Sequence, residues 1–442
     1  MNILIGNLKP TAYDYSDQKL GERHSTLHFP LGLGIIASVL KNSGREFDTY
    51  DSYVNGTTEG FLKTIENKKP DIVLLSGFLG NYTYPFLKDI SLSIKSINQL
   101  ITIVVGGPIA NTIPDLLVSK MPIDYVVKGE GERTILELLD AIERNSDISL
   151  VKGVYYMDSL RNMAFFTGER ERIQDLDMSW PLYKAFPMEP YVNYLKETVR
   201  CWELSTSRGC YNRCSFCKLT FGQKITTSSL QSVVEHMRFV FDNYMINKFS
   251  FVDDNFLNNT KRVSRFRELL LQEPYKFKWR FQGRADRISI EVVEKLKEVG
   301  LYNISFGIES GSQEMLNRYG KNLDIKKALT NLNEIKSMVE IHPTFIVGGP
   351  CESWETVKET ERFIRTLKLN NSGIGILTLF PGTFFYDKAK ENGLITDDEE
   401  YCMNLGSVYD RPYVNISDMS DDDLIKARDM LVEAAAEFGE YT

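Results

Sequence analysis

Arg208-Gly209-Cys210-Tyr211-Asn212-Arg213-Cys214-Ser215-Phe216-Cys217 is the stretch that decides how this chain is read. Its cysteines follow Cys-x3-Cys-x2-Cys spacing, so half of the six in the chain fall within eight residues. Three thiolates that close can hold three irons of a cubic iron–sulfur cluster, whose usual complement is four cysteines. An iron without a protein ligand is open to a small molecule, and an open position separates a reactive metal site from a structural one. Two other readings are weaker. A zinc knuckle would need Cys201 as its fourth ligand, yet zinc ribbons pair Cys-x2-Cys with a second, distant pair, and Cys351 and Cys402 stand isolated. A disulfide framework belongs to short secreted chains, and this chain has 442 residues. Cys201, Cys351 and Cys402 read as ordinary buried apolar residues.

Outward from that loop, length and composition set bounds. A chain of 442 residues predicts two or three domains. An apolar content of 43% and a charged content of 25% are those of a globular protein. No uninterrupted apolar run reaches the length of a bilayer span, so no membrane partner is expected. Met1-Asn2-Ile3-Leu4-Ile5-Gly6 reads as a strand, not a targeting peptide. Reduced thiols fit a cytoplasmic location. A net charge of -8 argues against nucleic acid as the main partner, because phosphate binding rests on Lys and Arg.

Residues 1–145 alternate short apolar runs with amphipathic helical stretches, the pattern of a doubly wound, Rossmann-like parallel sheet. Strands are expected at Asn2–Gly6, Glu46–Tyr50, Asp71–Ser76, Leu100–Val105 and Tyr125–Lys128. Helices are expected at Leu31–Lys41, Thr58–Asn67, Tyr84–Ile97, Ala110–Ser119 and Glu132–Glu143. Such sheets bind ligands beyond the carboxyl ends of their strands. The loops there are small or glycine-rich: Ser76-Gly77-Phe78-Leu79-Gly80, Gly106-Gly107-Pro108 and Gly129-Glu130-Gly131-Glu132. Glycine lets a backbone approach a bulky ligand closely. Residues 146–200 read as a linker carrying a hairpin. Residues 201–392 hold six strand–helix units, an open partial barrel whose site lies at the carboxyl ends of the strands. Residues 393–442 read as a helical C-terminal region, and Asp421-Asp422-Asp423 as the acidic start of a helix.

The cysteine loop after the first strand of a six-unit barrel resembles the radical S-adenosylmethionine (SAM) enzymes. Phe251-Val252-Asp253-Asp254-Asn255-Phe256, Phe281-Gln282-Gly283-Arg284, Phe306-Gly307-Ile308-Glu309-Ser310-Gly311-Ser312, Ile346-Val347-Gly348-Gly349-Pro350 and Phe380-Pro381-Gly382-Thr383 resemble the motifs that end its later strands. Pro30-Leu31-Gly32-Leu33, Gly106-Gly107-Pro108 and Val127-Lys128-Gly129-Glu130-Gly131-Glu132 resemble the cobalamin-binding domain fused to many such enzymes. Together these segments resemble a cobalamin-dependent radical SAM enzyme along nearly the whole chain.

The resemblance implies a 4Fe–4S cluster on Cys210, Cys214 and Cys217. It implies SAM contacts from Phe216, Asp254, Gln282, Glu309, Ser310 and Gly348. It implies cobalamin contacts from Asn7, Ser76, Gly77, Gly106, Gly107, Gly129 and Glu130. Asp253 and Asp254 are adjacent, and neighbouring strand residues point to opposite faces, so only one of them is expected to line the site. Arg284 is expected to pair with Asp286. No residue is assigned a catalytic role. The implied chemistry is one-electron cleavage of SAM to a 5′-deoxyadenosyl radical, then methylation of an unactivated carbon of a small-molecule or peptide substrate. The electron would come from an external flavodoxin- or ferredoxin-type donor. The alternative is cyclisation, rearrangement or oxidation with the same parts, with or without cobalamin. A corrinoid sensor would not need an open cluster. Methylthiotransferases hold a second cluster on N-terminal cysteines, and residues 1–200 contain none. One departure stands out: the Asp-x-His-x-x-Gly motif of many cobalamin domains is missing, the first loop beginning Asn7-Leu8-Lys9-Pro10, and His24 and His28 read as ordinary loop residues.

Overall fold

Leu31-Gly32-Leu33-Gly34-Ile35-Ile36-Ala37 and the apolar runs around it build the first of two units into which the chain divides, residues 1–199 with 397–406 and residues 200–396 with 407–442. The computed structural model describes residues 1–10, 27–54, 56–178, 180–256, 259–369 and 372–438. His24 lies outside the described residues.

In the first unit, β1 (Ile3–Asn7), β2 (Phe47–Asp51), β3 (Ile72–Ser76), β4 (Thr102–Gly106) and β5 (Tyr125–Val127) run parallel in the order β2-β1-β3-β4-β5. β1 and β3 are buried along nearly their whole length, as parallel strands covered on both faces must be. Helices α1 (Leu31–Asn42), α2 (Thr58–Lys68) and α3 (Thr83–Ile97) form the first crossovers, and α6 (Gly131–Glu143) follows β5. The helix expected over Ala110–Ser119 is two helices, α4 (Pro108–Thr112) and α5 (Pro114–Lys120). The break falls at Ile113, whose φ of -136° and ψ of 48° are not helical. A residue before proline is pushed out of the helical region, which explains the break.

The expected linker over 146–200 also differs. Its hairpin, β6 (Val154–Asp158) and β7 (Met163–Phe166), joins the sheet antiparallel to β5 and carries it to seven strands. The edge of β5 would otherwise leave backbone groups unpaired. α7 (Met188–Glu197) also belongs to this unit, with Tyr191 buried against Phe29 at 5.5 Å between ring centres. So does α15 (Asp398–Asn404), whose Glu399 pairs with Lys88 of α3 at 2.7 Å. The C-terminal region is therefore split between the two units.

In the second unit, β8 (Trp202–Leu204), β11 (Lys248–Phe251), β12 (Lys278–Gly283), β13 (Leu301–Glu309), β14 (Glu340–Val347) and β15 (Gly373–Ile376) are parallel neighbours in chain order. This is the curled half-barrel sheet. A two-strand ladder, β9 (Ser207–Arg208) and β10 (Thr226–Thr227), flanks the cysteine loop. The crossovers are α8 (Leu230–Tyr244), α9 (Thr260–Leu271), α10 (Ile290–Lys297), α11 (Gln313–Arg318), α12 (Ile325–Ile335) and α13 (Trp354–Leu367). α14 (Phe384–Glu391) follows β15, and α16 (Asp421–Ala436) starts at Ser420, whose hydroxyl accepts from Asp423 N at 3.2 Å. Among the described residues no helix is long and apolar enough to cross a membrane.

The barrel core is aromatic. Phe251, Phe256, Phe266 and Phe281 surround Trp279 at ring-centre distances of 5.3 to 5.9 Å. Trp279 is fully buried, and its indole N–H donates to Val299 O at 2.8 Å. Strand alternation turns Arg280 and Gln282 to the opposite face. Trp279→Ala should therefore destabilise the protein by about 3–5 kcal/mol, the cost of a large aromatic lost from a packed core. Denaturant unfolding checks this; a loss under ~1 kcal/mol would mean that the cluster does not hold the barrel together.

Candidate active site

The loop bearing the three cysteines is fixed before its first thiol is reached. Asp253, 1% exposed, accepts four hydrogen bonds from two residues. Thr206 donates its N–H at 2.6 Å and its hydroxyl at 2.5 Å, and Ser207 its N–H at 3.0 Å and its hydroxyl at 2.8 Å. Burial raises the Asp253 carboxyl above the ordinary aspartate value, and these bonds pull it back. Asp254 accepts from Gly209 N at 2.8 Å. Both aspartates thus serve the same loop, contrary to the opposite-face expectation. The reason is that β11 ends at Phe251, so strand alternation no longer governs them.

Gly209 sits at φ 94°. A β-carbon there would stand 3.0 Å from Gly222 O and collide with Lys224 O. Beyond it, Cys210 N donates to Gly222 O at 3.1 Å, and Ser215 N to Tyr319 O at 2.8 Å. Phe216 meets the Tyr319 ring edge-on at 5.6 Å. All six cysteines are free thiols, Cys210 buried, Cys214 half-buried and Cys217 exposed. Asn212 Nδ2 donates to Cys210 Sγ at 3.2 Å. Desolvation raises the Cys214 thiol and pushes that of Cys217 up to about 12. Among the described residues, no three His, Cys, Asp or Glu side chains gather as ligands of a single ion. A cluster makes a different demand, one thiolate on each of three irons. Three free thiols on one loop at the carboxyl end of β8 fit that donor set.

At the end of β13 the register slips between Gly307 and Glu309, and Glu309 takes φ 70°. Bulges and left-handed non-glycine residues re-aim side chains at functional sites. Here the carboxylate is turned onto Lys321 Nζ at 2.7 Å, both side chains being 9% exposed. The Ser310 hydroxyl lies 3.1 Å from Thr360 Oγ1 and accepts from Ser312 N at 3.1 Å, which braces α13. Asp254 is likewise committed to the loop backbone. Gln282 is exposed at the end of β12. Gly348, at φ 98°, donates its N–H to Glu352 Oε2 at 3.3 Å.

Sequence reasoning missed four residues. Lys321 and Glu352 carry no motif signal. Asn212 lies inside the cysteine loop without a fixed family role. Asn255 stands in the Asp253-Asp254 motif, where it drew no notice. Asn255 is buried, and among the described residues neither polar atom of its amide has a partner, nor has the buried Ser312 hydroxyl. Unpaired buried polar groups are costly and rare. They fit a polar ligand such as SAM, which would supply the missing bonds.

In the first unit, Gly106 ends β4 and Gly129 follows β5, and among the described residues a β-carbon at either would meet nothing within 4 Å. That is open space beside bare backbone, as a bulky corrin requires. Ser76 Oγ occupies the place a Gly107 side chain would take, and Gly77 is closed in by Thr83 at 2.9 Å. Asn7 and Glu130 both make hydrogen bonds within this unit. Asn7 donates to Asp51 Oδ1 at 3.0 Å, beside the bond from Tyr191 OH to Asp51 Oδ2 at 2.5 Å. Glu130 accepts from Arg172 Nε at 3.0 Å and Ile173 N at 2.7 Å, pinning the chain after the hairpin.

Comparison with known proteins agrees with both halves. Residues 20–139 match the B12 binding domain, and residues 204–364 the radical SAM superfamily. An uncharacterized methyltransferase of Pyrococcus horikoshii is 30% identical over 378 residues, covering 83% of this chain and 79% of its own length. The chain belongs to the cobalamin-dependent radical SAM enzymes. A cytidylyl-2-hydroxyethylphosphonate methyltransferase of Streptomyces wedmorensis is 27% identical over 376 residues, 73% of this chain and 69% of that one. The radical SAM methyltransferase TsrM of Kitasatospora setae, solved with cobalamin and a 4Fe–4S cluster, shares the fold. It has a TM-score of 0.75 at 18% identity, covering 90% of this chain and 79% of its own. The cofactors of this cobalamin-dependent radical SAM enzyme are the 4Fe–4S cluster, SAM and cobalamin. Like its family, it acts on a substrate and needs a reductant.

Two predictions follow from the second unit. Gly209→Ala should displace the loop backbone, because the obstructing atoms are main-chain oxygens, and iron bound per chain after anaerobic reconstitution should fall several-fold. Iron content equal to wild type would show the loop to be free to shift. The second concerns Glu352, 1% exposed, whose carboxyl burial pushes up to about 7 despite bonds from Thr356, Gly348 and Tyr319. The ordinary glutamate value is 4.5. The folded protein keeps this proton where the unfolded chain loses it. Its stabilising contribution is therefore complete below pH 4.5 and is lost as pH rises through about 7, on the order of 3 kcal/mol in all. Glu352→Gln should flatten the fall in stability between pH 5 and 8; identical pH profiles of the two unfolding midpoints would refute this.

Proposed function

We propose that this enzyme transfers a methyl group to an unactivated carbon of a small-molecule or peptide substrate. Cys210, Cys214 and Cys217 would hold the cluster, and Phe216, Gln282, Glu309, Gly348 and Asn255 would surround SAM. Gly106, Gly107, Gly129, Ser76 and Gly77 would edge the corrin. When bound, the three cofactors supply one-electron cleavage of SAM and a corrin-borne methyl group. The single observation that carries the reading is a three-thiol loop at the carboxyl end of a half-barrel, joined in one chain to a doubly wound sheet with open glycines at its edge.

The chain's own residues have limited tasks, because the cofactors carry the hard chemistry. Asp253, Asp254 and Gly209 hold the thiols in place. The Glu309–Lys321 pair presents a fixed charge pair. The Asn255 amide offers one donor and one acceptor side to a polar ligand. An electron donor of flavodoxin or ferredoxin type and a reducing, cytoplasmic location suit the free thiols.

The test needs no substrate. Cluster-loaded protein is incubated anaerobically with dithionite, reduced cobalamin and SAM carrying a 13C-methyl group. Labelled methyl should appear on the corrin together with S-adenosylhomocysteine, and 5′-deoxyadenosine should accumulate. The Cys210→Ala/Cys214→Ala/Cys217→Ala variant should form no 5′-deoxyadenosine. Formation of 5′-deoxyadenosine without any methylated corrin would contradict methyl transfer and leave a cyclase or oxidation chemistry.

A further inference from the structure

Arg284 was expected only to pair with Asp286, and it does, through Nε at 3.0 Å and Nη2 at 3.1 Å. It does more. Only 6% exposed, it donates from Nη1 to Lys321 O at 2.9 Å and from Nη2 to Asn322 O at 2.6 Å. Nη1 also reaches Asn212 Oδ1 at 3.4 Å. Asn212 in turn donates from Nδ2 to Cys210 Sγ at 3.2 Å. Guanidinium has donors and no acceptor, so the amide oxygen must face Arg284 and the NH2 must face the sulfur. Arg284 thereby decides which end of Asn212 meets Cys210.

Asp286 neutralises the guanidinium at contact distance, so its influence on the sulfur passes through geometry more than charge. A hydrogen bond to a ligating sulfur strengthens when an added electron raises the charge on the cluster. It favours the reduced form and raises the potential, one of the means by which proteins tune iron–sulfur sites. We propose that Asn212 is a positioning and tuning residue for the cluster, aimed by Arg284, and that its amide N–H raises the cluster's reduction potential. This rests on Cys210, Cys214 and Cys217 holding the cluster.

The test measures the reduction potential of the full-length, anaerobically reconstituted protein by EPR at defined potentials, with iron counted in every sample. Asn212→Leu, close in size and without a donor, should lower the potential at unchanged iron content. Asn212→Asp, which places an acceptor against the sulfur, should lower it further. Arg284→Lys keeps the charge but loses the fork, and should shift the potential the same way with the loop sequence intact. A residue that merely braced the loop would change iron content and leave the potential alone. Equal potentials in wild type, Asn212→Asp and Arg284→Lys would overturn the proposal even where Asn212→Leu fails to load. Wild-type protein that takes up no cluster would overturn the parent assignment instead, before any variant is compared.

Discussion

A buried carboxylate saturated with hydrogen bonds is what the active-site half of this molecule depends on. Asp253 is out of contact with water, and a charge so placed is tolerated only when its oxygens are fully paired. Its partners are the N–H and hydroxyl of Thr206 and of Ser207, which immediately precede the cysteine loop. Satisfying Asp253 therefore fixes the backbone from which Cys210 emerges. Asp254 extends the grip to Gly209, and Ser215 is held from Tyr319 on the other side. The loop is tied down by backbone and neighbouring groups while its sulfurs stay free for iron. That separation of duties is what a cluster with one open iron requires.

Around this loop the chain stores strain and leaves polar atoms unpaired. The slipped register before Glu309 and its left-handed backbone turn a carboxylate onto Lys321 in a nearly dry setting. Lys321 lies next to Gly320, whose missing side chain would press on Arg213 O and Ser215 Oγ at 3.2 Å. The same short segment therefore supplies an ammonium group and leaves room for the cysteine loop. Asn255 and Ser312 add buried groups with open bonding capacity. In the first unit, the corresponding feature is space beside Gly106 and Gly129.

The strands were legible because each is an apolar run bounded by glycine, proline or polar residues, and the parallel arrangement follows from the helices between them. The cysteine loop was legible because ligand spacing is local. What escaped was non-local. Nothing near Glu130 announces Arg172 and Ile173 as its partners, and nothing near Asn7 announces Asp51 and Tyr191. The hairpin of β6 and β7 was visible, but its docking on β5 depends on an unpaired strand edge that the hairpin's own sequence does not reveal. The break at Pro114 was visible in principle, since the residue before proline resists the helix. The turn of Glu309 depends on a slip between two strands, which no single segment encodes.

The central claim is that three thiolates of one loop hold a four-iron cluster and leave one iron for SAM. Electron–nuclear double resonance on the reduced protein, with SAM labelled with 15N in the amino group and 17O in the carboxylate, tests it most directly. The account predicts hyperfine coupling from both labels to the cluster, present in wild type and absent when unlabelled SAM is used. A reduced cluster that shows no coupling to either label, or a loop that binds only a spectroscopically silent zinc ion, would contradict it.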